Sequence, residues 1–221
     1  MGFVVAVDGP AGSGKGTITK KIAKEMNLTS IDTGAMYRTI ALACFRAEIK
    51  ADETEKVIAK LDDIEVTLGY DNGTQKVYLN GEDVSLEIRR EEIGNMTSAI
   101  AVYEKVRENM VEMQRELAAK NDVVMDGRDI GTHVLPNADV KIYLTASASE
   151  RANRRYKELC EKGIACNLQE IENDIIARDE QDMNREIAPL KQAEDAVLVD
   201  SSHMTIAEVV ENIIAIYKKN V

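Results

Sequence analysis

An α/β fold, with a parallel sheet core flanked by helices, is what this sequence predicts, and three observations carry the expectation. A short apolar run, Phe3-Val4-Val5-Ala6-Val7-Asp8, leads into the glycine-rich stretch Gly9 to Thr17 and then into a helical pattern. Comparable β-branched runs ending in a carboxylate recur at Val123-Val124-Met125-Asp126 and Ala196 to Asp200. Apolar runs without alternation read as strands buried on both faces, and helical periodicity separates them here. Finally, 221 residues suffice for one good core, so a single domain carrying insertions is expected over 1–221.

The stretch Gly9-Pro10-Ala11-Gly12-Ser13-Gly14-Lys15-Gly16-Thr17 is a phosphate-cradling loop. Its glycines allow a tight turn with no side chain in the way of an anion, and a helix N-terminus adds inward-pointing N–H groups. Lys15 supplies a point charge for the outer phosphates. Many such loops carry Ser or Thr directly after the lysine; here Gly16 stands there and Thr17 follows, which displaces the hydroxyl that meets magnesium.

Composition narrows the function classes. A net charge of −11 argues against nucleic-acid binding driven by whole-protein charge, so phosphate binding must be local. Cys44, Cys160 and Cys166 form no C-x-x-C pair, which favours a reduced, cytoplasmic setting and makes zinc improbable. Phe3 to Val7 lacks preceding positive residues and ends at Asp8, so neither a signal peptide nor a membrane span is expected. Ala6 stands where a myristoylation signal needs Ser or Thr.

After the loop, Ile18, Ile22 and Met26 mark a helix, and Leu28 to Ile31 a short strand that delivers Asp32-Thr33-Gly34-Ala35-Met36-Tyr37-Arg38 to the ligand edge of the sheet. Arg38, beside the loop, is a candidate ligand rather than a solvated helix residue. From Ile64 the period turns alternating, with turns at Asp71-Asn72-Gly73 and Asn80-Gly81, which predicts an antiparallel meander inside an insertion over about 51–93. Val106, Met110, Met113 and Leu117 form the apolar stripe of a long helix, with Ser98 and Arg107 near its N-terminal part.

Asp126-Gly127-Arg128-Asp129 places two carboxylates and a guanidinium at one strand exit, and an aspartate there commonly supports magnesium. Ser147 to Glu150 opens a helix after the strand Val140 to Leu144, and Arg151, Arg154 and Arg155 share a face, either a phosphate clamp or a solvated surface. Arg178, Asp182 and Arg185 also recur at helical spacing, as ligand groups or as a salt-bridge ladder, up to Pro189. Thr205 and Glu208 cap a last amphipathic helix.

These stretches together resemble the bacterial cytidylate kinases, nucleoside monophosphate kinases with a P-loop NTPase fold. The likeness runs through Asp8 to Thr17, Asp32 to Arg38, Asp126 to Thr132, Arg151 to Arg155 and Arg178 to Leu190. It implies a monophosphate-binding insertion with a small antiparallel sheet and a short lid at about 149–168. It implies ATP as donor with Mg2+, and CMP or dCMP as acceptor. Gly9 to Thr17 would bind the donor, with Thr17 and Asp126 toward the metal. Ser98, Arg107 and Asp129 would read cytosine, Arg178 and Asp182 would meet the ribose, and Arg38, Arg128 and Arg185 would hold the acceptor phosphate in a pocket lined by Thr33 and Tyr37. Lys15, Arg128, Arg151, Arg155 and Arg185 would stabilise the transferring group. A monomer is expected. Rival readings are a related kinase for UMP, AMP or shikimate, or a nucleotide-dependent switch.

Overall fold

The computed structural model describes residues 2–71 and 73–220, so Asn72 of the expected first turn lies outside the described residues. In chain order the elements are β1 (Val4–Asp8), α1 (Lys15–Met26), β2 (Thr29–Asp32), α2 (Thr33–Arg46), α3 (Thr54–Lys60), β3 (Val66–Asp71), β4 (Thr74–Leu79) and β5 (Glu82–Asp83). Then follow α4 (Glu91–Ile100), α5 (Glu104–Lys120), β6 (Val123–Gly127), β7 (Val140–Thr145), α6 (Ala148–Glu161), α7 (Leu168–Asn184), β8 (Val197–Asp200) and α8 (Ile206–Asn220).

Five strands form the parallel sheet in the order β2-β6-β1-β7-β8. β1 is central, in register from Val4 opposite Val123 to Asp8 opposite Gly127. Its alternate residues feed different cores: Val4 and Ala6 pack with α2, α5 and the insertion, whereas Val5 and Val7 pack with α1 and α8. Burial on both faces explains why the strand is apolar throughout. The parallel arrangement sends the carboxyl ends of β1, β2 and β6 to one edge, and there sit the loop, Thr33 to Arg38 and Arg128-Asp129.

The insertion is a three-stranded antiparallel sheet, β3-β4-β5, flanked by α3 and α4. Gln75 on β4 grips the end of β2 by accepting from the Asp32 N–H at 2.8 Å, and Arg46 on α2 donates to Glu82 at 2.7 Å. The expected long helix is two helices: α4 ends at Ile100, α5 begins at Glu104, and Ser98 therefore stands on α4 and Arg107 on α5.

Helix ends follow local chemistry. Thr205 and Glu208 make a reciprocal capping box, with the Thr205 N–H donating to Glu208 Oε2 at 2.7 Å and the Glu208 N–H to Thr205 Oγ1 at 3.3 Å. At α6 only half of the box forms: Ser147 Oγ accepts the Glu150 N–H, while the Glu150 carboxylate turns to Arg154. α7 ends at Asn184, well before Pro189, so Arg185 is extended and does not share the helix face of Arg178 and Asp182. Among the described residues no helix is long and apolar enough to cross a membrane.

Candidate active site

The glycine-rich loop leaves β1 through Gly9, whose φ of +151° and closeness to β7 admit no side chain; a Cβ there would lie 2.0 Å from the Leu144 carbonyl oxygen. Gly14, at φ 90°, is the N-cap of α1, so the free N–H groups of that helix open onto the loop. Lys15 is buried and donates to the carbonyls of Gly9 and Pro10 at 2.7 Å each. Burial, and then the nearby Arg128, pull its ammonium below the usual range. An anion bound beside it favours the charged form.

Two buried groups fix the loop from below. The Asp8 carboxylate accepts the N–H groups of Ile130 and Gly131 at 2.8 and 2.7 Å, tying β1 to the single π-type turn that follows Asp129. Burial raises Asp8 to about 6, against those two hydrogen bonds. Arg151 donates from Nη1 to the Ala11 carbonyl at 2.9 Å, from Nε to Ala146, and from Nη2 to Asp179 Oδ2 at 2.6 Å.

Each arginine of the expected clamp has partners within the protein. The Arg151 guanidinium is spent on bracing the loop; Arg154 turns to Glu150 and the Ser201 carbonyl, and exposed Arg155 pairs with Glu158. None of the three lines the cleft.

The cleft, about 730 Å³, runs from the loop to the insertion. At its loop end lie Thr17, exposed, and Asp126, whose Oδ1 accepts from Thr19 Oγ1 at 3.3 Å. Burial and the neighbouring Asp32 raise Asp126 to about 7. Thr33 donates to the Asp126 carbonyl at 2.7 Å, joining β2 to β6 beneath the cleft.

Farther along, the cleft is lined with cations. Among the described residues Arg38 reaches only a backbone carbonyl, that of Ile88 at 2.9 Å, and burial, Arg178 and Arg89 lower it to about 10. Arg178 is lowered by burial and by Arg128, and its buried Nε has no partner among the described residues. Arg128 is different: burial opposes its charge, yet Asp182, accepting at 2.9 Å, raises it overall. Arg178 thus sits among the cations expected for phosphate, with Asp182 adjoining.

At the far end Asp129 joins two arginines, Arg107 through Oδ2 and Arg185 through Oδ1 at 3.2 Å. Arg107 also stacks over Tyr37, 5.9 Å from the ring centroid. Burial lifts Tyr37 to about 12, so its hydroxyl stays protonated. Arg185, expected on the acceptor phosphate, is instead shared by Asp129, the Ala188 carbonyl and, at 3.9 Å, Asp182. Ser98 lines the same end, and its carbonyl accepts from Gln181, linking α4 and α7.

Residues 5–219 match the family described as "Cytidylate kinase". A cytidylate kinase of Bacillus cytotoxicus is 49% identical over 212 residues, covering 96% of this chain and 94% of that one. One of Leuconostoc mesenteroides is 48% identical over 219 residues, covering 99% and 98%. The chain belongs to the cytidylate kinase family. In fold alone it is also similar to a solved gluconokinase from Sinorhizobium meliloti, at a TM-score of 0.51 and 17% identity, covering 99% of this chain and 92% of that one.

Within this cytidylate kinase frame, several site residues carried no sequence signal. Arg89 reaches Asp32 across the cleft mouth at 2.9 Å, but lies in an irregular part of the insertion with no periodicity. Gly94, on α4, brings its backbone so close to Arg38 that a Cβ would be 3.0 Å from Nη2. Asp8 was read as the end of a strand, and its role as an anchor for the turn after Asp129 depends on β1–β6 pairing.

Proposed function

We propose that the chain transfers the γ-phosphate of ATP to CMP or dCMP, giving ADP and CDP or dCDP. The observation that carries this reading is the pair Arg38 and Arg178, two half-buried guanidiniums in the cleft without a carboxylate partner among the described residues. Buried cations are stable when paired, so the site suits a second phosphorylated ligand facing the loop.

In this reading Gly9 to Thr17 hold the donor phosphates, with Lys15 on the outer ones. Arg38, Arg128 and Arg178 hold the acceptor phosphate; Asp182 and Arg178 adjoin the ribose; Arg107, Asp129, Arg185 and Ser98 face the base, and Thr33 and Tyr37 shape the pocket. A monophosphate oxygen is already largely ionised near neutral pH, so it attacks in line without a dedicated general base. The residues cancel repulsion between two anions and position them. Arg151 acts through the loop it braces, as a positioning residue, and Arg155 lies outside the reacting groups.

A Thr17 hydroxyl and one Asp126 carboxylate, with no cluster of three or more His, Cys, Asp or Glu among the described residues, fit Mg2+ held largely through water and phosphate oxygens. When bound there it supplies charge neutralisation on the donor phosphates. Closure of the insertion and of the lid at about 149–168, α6 and the turn after it, excludes water as acceptor. We read the protein as a cytoplasmic monomer.

An ADP-release assay with CMP, dCMP, UMP, AMP or no acceptor tests the assignment. CMP and dCMP should be turned over best, and Lys15→Ala should lower kcat by about 10²-fold or more, as for loss of a transition-state charge partner, with a modest change in CMP affinity. Equal ADP release with and without acceptor overturns the kinase reading.

A further inference from the structure

Two of the three cysteines bracket the turn between α6 and α7, outside the cleft. Cys160 is exposed on the last turn of α6 and Cys166 is half-buried just before the Asn167 cap of α7, whereas Cys44 is buried in the core. The turn folds back tightly. The Gly163 N–H donates to the Cys160 carbonyl at 2.9 Å and the Ile164 N–H to that of Leu159 at 3.0 Å, with Gly163 left-handed at φ 71°. The returning chain brings Cys166 Sγ to 4.0 Å from the Tyr156 carbonyl, one helical turn before Cys160, so both cysteines stand against the last turn of α6.

We propose that Cys160 and Cys166 form a reversible disulfide that restrains the α6–α7 turn. The functional half of this proposal rests on the reading of about 149–168 as the lid; the covalent half does not. The Cys160 thiolate, the more exposed, attacks a low-molecular-weight disulfide and displaces one half as a thiol. Cys166 then attacks Cys160 Sγ and releases the second half, so that two cysteine thiols are oxidised to one disulfide while one small disulfide is reduced to two thiols. The burial-raised Cys166 thiol makes the closing step slow at neutral pH and faster in mild alkali. Once closed, the bond ties the C-terminal end of α6, whose first turn carries the Arg151 brace, to the start of α7, whose last turns carry Arg178, Asp179 and Asp182.

The test treats the full native chain with oxidised glutathione and reads intact mass, alkylation, hydrogen exchange and turnover. Expected is a monomer lighter by two hydrogens, with only Cys44 left to alkylate after unfolding, reversed by dithiothreitol. Exchange over 162–178 should slow. The kcat with CMP should fall roughly tenfold, as where lid motion sets turnover. C166S should stop at the glutathione adduct of Cys160, and C160S should show neither the bond nor the loss of turnover on oxidation. Only mixed adducts or intermolecular dimers in the wild type overturn the disulfide. A closed disulfide with unchanged exchange and turnover overturns the restraint. No CMP phosphorylation by the reduced protein overturns the kinase reading instead, while mass and exchange still decide the disulfide.

Discussion

Arg107 and Asp129 form an ion pair with side chains 3% and 8% exposed, and the second carboxylate oxygen of Asp129 holds Arg185, 6% exposed. One carboxylate therefore holds two buried guanidiniums from elements that are distant in sequence, α5 and the stretch after α7, and leaves the trio net positive.

Asp129→Asn keeps the shape and removes the charge. It should destabilise the fold by about 3 kcal/mol, because breaking a buried pair strands the remaining charge. If Asp129 also faces the base, the KM for CMP should rise tenfold or more while that for ATP changes little. Urea unfolding and steady-state kinetics check both halves. Unaltered CMP kinetics in a folded variant would remove Asp129 from the acceptor pocket.

Gly94→Ala separates stability from function. In the interior of α4 alanine is the better helix former by about 1 kcal/mol, so thermal stability should hold or rise. The new methyl meets the mobile end of Arg38 at 3.0 Å and must displace it. The acceptor KM should increase several-fold. A gain in melting temperature with unchanged acceptor KM would show that the position of Arg38 against α4 is not needed for binding.

The fold was legible because its signals are local. The unbroken apolar runs of β1 and β6, the glycine loop and the alternation of Val66, Leu68, Val77 and Leu79 each report their own surroundings. The site was legible where chemistry is dense in sequence, as in Lys15 and Asp126 to Asp129. Spacing failed for the arginines. Arg151 has the periodicity of a surface clamp, and only the contact with Ala11, 140 residues earlier, reveals its role. Arg185 continues the spacing of Arg178 and Asp182, although the helix has already ended. Long-range partners such as Arg89 with Asp32 leave no periodic trace.

Asp8 gives a pH dependence of stability with a definite sign. Its carboxyl sits at about 6 in the fold against 3.8 unfolded, so the native state holds a proton that the unfolded state has lost. Such a group stabilises most at low pH and loses its contribution as pH rises from about 4 to about 6, by at most about 3 kcal/mol. Other carboxylates add slopes of their own, so the informative quantity is the stability of wild type minus that of Asp8→Asn across this range. The difference should fall with rising pH. A flat difference would mean that Asp8 titrates normally.

Arg151 and Asp179 supply the last test, since α6, α7 and the phosphate loop meet in one buried pair at 2.6 Å. Asp179 Oδ1 has no partner, so Arg151 is its principal compensation. Arg151→Met should strand Asp179 and release the Ala11 carbonyl, costing about 3 kcal/mol of stability and raising the KM for ATP. Asp179→Asn should cost less, because Arg151 keeps its bonds to Ala11 and Ala146. In the double variant the stability losses should be less than additive by about 1–3 kcal/mol, the coupling of residues in direct contact. A clamp acting on the transferring phosphate predicts a different outcome, in which Arg151→Met lowers kcat with the KM for ATP unchanged and Asp179→Asn has no kinetic effect. A brace predicts that both substitutions weaken ATP binding, because both loosen the loop through the same contact.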